Sequence, residues 1–544
     1  MLSCVAPLLA ALSLQAALDA RAAAVPGTGI AVGVIDRGVT RVYVAGSAGN
    51  GRAVGAHTLF EIGSVTKTFT ATTLSAMVLR KQVRLNDPIS VYLPAGVRAP
   101  SKNGKAITLL DLAEQRSGLP RLPTNMSDVA GDDPYADYTV ADMYAFLNGY
   151  ALTRDPGATY EYSNYGVGLL GQLLANRANV SYTTLVREMV LDPLGMTEST
   201  FAVWPAQDPA LLAAGHEVGG DAVPTWHFQS VLPAGGLISS VSDMLKYLRC
   251  NMGQGPLTRV CLFAQRPRAP GELGHQIGLV WNINSKTGVI GHNGDTLGFH
   301  ADFAISRDRQ TGVVVLSNGP AVSDIAAHVL LPSYPIAACP ASVPASDTDP
   351  KSYDGVYCNA SGGFTFRVAN MSKPNELAIA LLPQLGAAYQ QVASDTYYSQ
   401  MVDATFKFSR AGEAIVGLRL IQAGQTIPAV RLDVQGKPVV EELPPAFPPV
   451  VALDRATLLQ YVGTYPLDGG AFTVTLRGDA LYVQLTGQPA VQVYASAKDE
   501  FYLKVVEARI AFGRNALGGV NGLTLYQNGQ TIHASRALSP ALSP

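Results

Sequence analysis

Between residues 29 and 335 the spacing of apolar residues changes several times, and each change predicts an element. "GIAVGVIDRG" (Gly29–Gly38) is an apolar run ending in a turn, and "RVYVAGSAG" follows at once. Together they predict a β-hairpin. A longer apolar stretch over Val65–Lys81 predicts a helix with Ser64 near its start. Asp142–Leu147 and Gly166–Arg177 predict two more helices, and Val241–Cys250 another with Ser242 as its N-cap. From 277 to 318 the pattern shortens. "IGLVWNI", "VIGHNG", "GFHADFAI" and "GVVVLSN" predict consecutive antiparallel strands joined by short turns. Strands from both ends of this region, with helices between them, predict an α+β domain: an antiparallel sheet flanked by helices.

After residue 340 the helical period fades. "CPASVPASDTDPKS" and "EELPPAFPPV" (Glu441–Val450) have the composition of linkers. Around them lies an internal repeat. "YDGVY" (Tyr353–Tyr357) matches "YVGTY" (Tyr461–Tyr465), and "VGLRLIQAGQTIPAVR" (Val416–Arg431) matches "NGLTLYQNGQTIHASR" (Asn521–Arg536). The offsets, 108 and 105, nearly agree, so the C-terminal third is two copies of one small all-β domain. Short strands at even spacing favour antiparallel barrels over sandwiches. The expected organisation is therefore residues 1–340, 351–437 and 451–540.

Composition narrows the class. Apolar residues make up 48% and charged residues 15%, and the net charge is −2 with no long basic run. This excludes the electrostatic footprint of a nucleic-acid or anionic-membrane binder. The apolar run Leu2–Leu14 is too short to span a bilayer. It fits either a cut-down export signal over residues 1–16 or the first amphipathic helix of the fold. The cysteines are Cys4, Cys250, Cys261, Cys339 and Cys358, with no C-x-x-C. With Cys4 set aside, the pairs 250/261 and 339/358 suit two disulfides in a periplasmic or secreted protein, although four cysteines allow three connectivities. Four free thiols in a cytosolic protein is the other reading. His216, His227, His275 and His300 have no ligand spacing, so neither a metal nor another cofactor is expected.

The candidate chemistry begins at Ser64-Val65-Thr66-Lys67, which opens the long apolar helix. A Ser and a Lys three apart share one helix face. A serine hydroxyl needs a nearby base, and a lysine kept dry can act as one. Tyr162-Ser163-Asn164 stands in a loop before the next apolar helix. Tyr162 could shuttle protons there, and Asn164 could bind a substrate carbonyl and hold Lys67. The structural alternative is an N-cap, since Ser163 and Asn164 are both good capping types. Two triplets compete for a third element. Lys286-Thr287-Gly288 follows Asn284-Ser285, a turn-forming pair, so its lysine is expected at a hairpin tip. His292-Asn293-Gly294 falls inside the next strand, with Asp295 behind it, and its glycine lets the backbone approach a substrate.

These motifs, in this order, resemble the class C β-lactamase and penicillin-recognising serine hydrolases. "LLDLAEQRSGLP" and "PAGGLISSVSDMLKYL" are similar to accessory stretches of that family. The order of one catalytic domain and two barrels further resembles the D-aminopeptidase branch with lipocalin-like barrels. The resemblance implies that Ser64 is the acylated nucleophile and that Lys67 and Tyr162 share general-base and general-acid duty. It implies that His292 replaces a third-motif lysine and that the backbone N–H groups of Ser64 and Asp295 form the oxyanion hole. Asn164, Asn293, Gly294 and Asp295 would contact substrate.

Two departures bear on the substrate. A histidine lacks the permanent charge that would attract a carboxylate, and Asp295 would repel one and attract an amine if it faced the cleft. Asp295 could also point outward and cap the turn. The expectation is a serine peptidase or amidase acting on small peptides, of aminopeptidase or linear-peptide type. The alternative is a carboxylesterase with weak β-lactamase activity. A third reading makes the catalytic domain a relic and the barrels binders of apolar ligands or peptidoglycan fragments.

Overall fold

The computed structural model describes residues 5–537 other than 26, 50, 127–132, 202–210, 217–220, 272–274, 320–321, 333, 335, 337–348, 360–363, 372–374, 382–386, 400–403, 423–424, 441–449, 468–469, 487–489, 504–507, 516–517 and 528–529. The chain forms two compact units, residues 1–441 and 442–544.

The first unit opens with the α+β architecture. Among the described residues its main sheet has nine strands, all antiparallel. The predicted hairpin is present as Gly29–Asp36 and Val39–Gly49. Strand Gly29–Asp36 also pairs with Thr311–Ser317, in register Ile30↔Ser317, which joins the two ends of the domain in one sheet. Next come His300–Ile305 and then Ile290–Asp295. "IGLVWNI" departs from its prediction. It splits into Gln276–Ile277 and Asn282–Ile283, because Val280 takes a left-handed φ of +57° and gives its N–H to the Ala113 carbonyl.

Helix Thr66–Leu79 runs through the core and is buried on nearly every side, although its sequence, TKTFTATTLSAMVL, is rich in hydroxyls. Burial without partners would cost about 1–3 kcal/mol per hydroxyl. The helix meets this locally, because Thr72, Thr73 and Ser75 donate back to the carbonyls of Thr68, Phe69 and Ala71 at 2.7–2.9 Å. Helix Asn164–Ala178 is capped by Ser163, whose Oγ accepts the Gly166 N–H. Helix Val241–Asn251 starts at Val241 as expected, but its cap differs. Ser240, not Ser242, accepts the Asp243 N–H.

The N-terminal helix Val5–Ala24 packs as part of the fold over its second half. Leu14, Leu18 and Ala22 join Ile30, Val32 and Val313 in one apolar cluster, and Arg21 donates to Asp324 at 2.7 Å. No helix among the described residues is long and apolar enough to cross a membrane. Cys250 and Cys261 are joined by a disulfide between neighbouring helices, and Cys358 is a free thiol. Cys4 and Cys339 lie outside the described residues.

The first unit also contains a closed barrel of eight strands, from Gly355–Asn359 to Gln425–Arg431, sealed by Tyr357↔Arg431. The second unit carries eight strands in sequence order, from Gly463–Leu467 to Gln530–Ser535. Its ends meet where the Ala537 N–H donates to Thr464 O at 2.8 Å. The repeat read from sequence reappears as repeated bonding. Tyr353 donates to Asp395 and Tyr461 to Asp499, at 2.8 and 2.9 Å. Arg410 and Arg514 grip the same aspartates at 2.6–3.0 Å. The glycine of each repeated pentapeptide has a reason. A Cβ at Gly355 or Gly463 would meet the guanidinium of Arg431 or Arg536 at 3.0 or 2.9 Å.

Candidate active site

Ser64 sits in a single 3-10 turn, Gly63–Val65, that leads into helix Thr66–Leu79. One helical turn on, Lys67 returns to it and donates from Nζ to Ser64 Oγ at 2.8 Å. Lys67 is fully buried, and its second bond goes to the Ala234 carbonyl at 2.6 Å. The "PAGGL" segment supplying that carbonyl is strapped to the central helix. Thr70 Oγ1 donates to Pro233 O, and Thr66 Oγ1 accepts the Leu237 N–H. No carboxylate is bonded to Lys67 among the described residues. Burial holds its pKa well below the usual lysine range, the Arg121 charge adds to this, and Asp295 opposes it.

Tyr162 lies with its ring 4.8 Å from Lys67 Nζ. Burial keeps its phenol above the usual range, against Arg121 and a hydrogen bond with Ser64. Both readings of the Tyr162-Ser163-Asn164 loop hold at once, since Ser163 caps the helix while its two neighbours face the cleft. Asn164 differs from expectation in one respect. Its amide donates to Tyr135 Oη at 3.2 Å and does not hold Lys67, a place taken by Ala234. Its Oδ1 is buried without a hydrogen-bond partner among the described residues, and Asn164 lines the cleft beside Ser64.

The two triplets separate cleanly. Lys286 is exposed at the tip between strands Asn282–Ile283 and Ile290–Asp295, where Asn284 Oδ1 accepts the N–H groups of Lys286 and Thr287 at 3.0 Å. His292 is buried, with its ring 6.2 Å from that of Tyr162. Its Nδ1 lies 2.6 Å from the Asn293 carbonyl, so Nδ1 carries the proton. Burial, the largest cause, pushes its pKa down to about 4, so the ring is neutral at pH 7. Strand alternation turns Asn293 the other way. Its side chain is exposed and bonds Asp295.

Gly294 is where the strand touches the Ser64 turn. A Cβ there would lie 2.7 Å from the Ser64 nitrogen. Asp295 lines the cleft, but its carboxylate is engaged, with His300 Nδ1 at 2.5 Å and Asn293 Nδ2 at 3.3 Å. Sequence reasoning missed the aromatic wall of the cleft. Tyr135 stacks on Phe228 at 5.1 Å and meets Trp226 edge-on at 5.4 Å. The cluster "PTWHFQ" in a polar stretch was the available signal. Behind Trp226 and Phe228 lies a cavity of about 430 Å³ that also touches the buried Glu61.

Residues 14–330 match the beta-lactamase family. The chain belongs to that family. Residues 448–536 match a domain of unknown function, DUF3471. The D-alanyl-D-alanine-carboxypeptidase/endopeptidase AmpH of Escherichia coli is 34% identical over 224 residues, which cover 41% of this chain and 57% of that protein. The chain thus spans little more than half of that relative. A beta-lactamase of Lysobacter lactamgenus is 26% identical over 330 residues, covering 53% of this chain and 82% of that one. Among solved structures, the D-alanine carboxypeptidase AmpC of Burkholderia cenocepacia aligns with a TM-score of 0.49 and 25% identity, over 59% of this chain and 99% of that one.

Proposed function

We propose that the chain is a serine hydrolase of the peptidase or amidase type, cleaving short peptides through an acyl-enzyme on Ser64. One observation carries the reading: a buried lysine, with no carboxylate bonded to it among the described residues, 2.8 Å from the serine hydroxyl. As a free amine, Lys67 takes the Ser64 proton while Oγ attacks the carbonyl carbon. The oxyanion that forms is received by the backbone N–H groups of Ser64 and Asp295, each worth about 3 kcal/mol. The phenol of Tyr162 stays protonated and donates to the leaving nitrogen as the C–N bond breaks; the proton held by Lys67 then restores it. Water, deprotonated by Lys67, opens the ester in the second half of the cycle.

The names of the relatives support cleavage of a carbonyl–nitrogen bond, since they include a carboxypeptidase/endopeptidase and beta-lactamases. The neutral His292 supplies no fixed positive charge for a carboxylate, which argues against a β-lactam or a peptide C-terminus as the preferred substrate. Asp295 is committed to His300, so the aminopeptidase version loses its anchor for an amine. A short peptide with an apolar residue against the Tyr135–Trp226–Phe228 wall fits best. The uncharged third motif also favours the second reading, a carboxylesterase of short acyl chains. The Cys250–Cys261 disulfide supports a periplasmic or secreted location, which cell fractionation tests.

Digestion of a peptide library, read by mass spectrometry on wild type and Ser64→Ala, decides the reaction. Cleavage by wild type alone is expected. Turnover of p-nitrophenyl butyrate with every peptide intact would transfer the assignment to the esterase.

A further inference from the structure

Two positive groups flank the ring of Tyr162: Lys67 Nζ at 4.8 Å and Arg121 Cζ at 5.0 Å from its centroid. Arg121 belongs to "SGLPRLP", outside the three motifs. Its backbone is tied to the Tyr162 loop. Ser163 Oγ donates to Pro120 O at 2.6 Å, and the Arg121 carbonyl accepts the N–H groups of Asn164 and Tyr165 at 3.0 and 3.2 Å. The guanidinium is half-buried, and among the described residues it has no ion pair and no side-chain hydrogen bond. Most arginines in such a place are neutralised by a carboxylate. Here the charge is left standing beside a buried lysine.

We propose that Arg121 is a positioning residue of the reaction: its charge, acting across the Tyr162 ring, holds Lys67 as the free amine. This rests on the serine reading above. The groups facing Lys67 are the Ser64 hydroxyl, the Ala234 carbonyl, Tyr162, His292, Asp295 and Arg121. Of the charged groups only Asp295 favours the ammonium form, beside the Ala234 carbonyl that accepts from Nζ, and its carboxylate is shared with His300 and Asn293. Burial is the largest influence holding Lys67 down and Arg121 the next. The same guanidinium pulls Tyr162 downward against its burial, so one cation favours the deprotonated form of both the base and the acid.

The test is the rate of fluorophosphonate labelling of Ser64 from pH 5 to 10, in wild type, Arg121→Gln and Arg121→Lys. Loss of the charge should move the acidic limb of Arg121→Gln upward by about one pH unit. Labelling should then fall roughly tenfold on that limb and rejoin wild type at high pH, while Arg121→Lys keeps the wild-type limb. An equal drop at every pH in both variants overturns the proposal, because it marks a structural role. So does an unshifted limb in Arg121→Gln, or a loss confined to ester substrates that carry a carboxylate, which would make Arg121 an anion site. Wild-type protein that takes up no probe sinks the serine reading and the proposal with it, and is told apart from the other failures by that blank.

Discussion

A Cβ at Gly294 would lie 2.1 Å from the carbonyl oxygen of Ile62. Gly63 meets the same strand from the other side. It has a φ of +47°, and a Cβ there would sit 2.5 Å from the Asp295 nitrogen. The Ser64 turn and the His292 strand therefore touch backbone to backbone, which brings the amides of Ser64 and Asp295 to one place. Gly294→Ala must push the strand away. The expected result is a loss of about 10²-fold or more in kcat with p-nitrophenyl butyrate, the scale of one lost oxyanion donor. Overpacking should also cost about 1–3 kcal/mol of stability. A folded Gly294→Ala with wild-type kcat would mean that the contact does not set the amides.

Lys286→Ala should leave ester and peptide hydrolysis unchanged, since that side chain is exposed at a hairpin tip. His292→Ala should lower kcat/KM by about 10²-fold. Because His292 titrates near pH 4, its protonation should not shape the rate profile near 6.5, where a free histidine would. A limb at pH 6.5 that vanishes in His292→Ala would contradict the neutral, buried ring. The opposite ranking of the two variants would return the active site to Lys286.

Much of the site was legible because local rules place it. Three-residue spacing at a helix start puts Ser64 and Lys67 together, and turn chemistry places Lys286 outside. The period of two in Ile290–Asp295 separates His292 from Asn293 onto opposite faces. Arg121, Tyr135, Trp226 and the Ala234 carbonyl escaped for another reason. They come from four segments that only tertiary packing assembles, and a main-chain carbonyl has no letter in a sequence. Ser240 displaced Ser242 as a cap because several capping residues stand in a row, and the choice is made by where the strand ends. The barrels were legible through duplication. Two copies fix the positions that matter, and the matched tyrosines, glycines and arginines bond alike in both.

That duplication gives a paired prediction. Asp395 receives Tyr353 and Arg410, and Asp499 receives Tyr461 and Arg514. Against burial, the largest single influence on Asp395, the hydrogen bonds of Arg410 and Tyr353 and the Arg410 charge hold its carboxyl below the usual range, and at Asp499 the Arg514 hydrogen bond leads in the same direction. Asp395→Ala and Asp499→Ala should each lose about 1–3 kcal/mol, the scale of hydrogen bonds to a charged group, and by similar amounts. Denaturant melts of the full chain check this. A large loss in one and none in the other would show that the repeated network is structural in only one copy.

Glu61 offers a pH test of the buried polar layer behind the cleft. It is 3% exposed, its Oε1 accepts the Trp226 N–H at 2.9 Å, and burial lifts its pKa from 4.5 to about 7. Between those values the folded chain binds the proton that the unfolded chain has lost, so stability falls as pH rises. The loss approaches about 3 kcal/mol by pH 7. His292 acts in the opposite sense. Its pKa drops from 6.5 to about 4, so across that window the unfolded chain binds more protons and stability rises with pH. The two contributions overlap and partly cancel in wild type, which makes a single stability curve uninformative. The difference between wild type and Glu61→Gln isolates the carboxyl. Glu61→Gln should gain stability relative to wild type steadily from pH 4.5 to 7 and hold that gain above it. A difference that stays flat across the window would mean that Glu61 ionises normally and that the burial argument fails at this site.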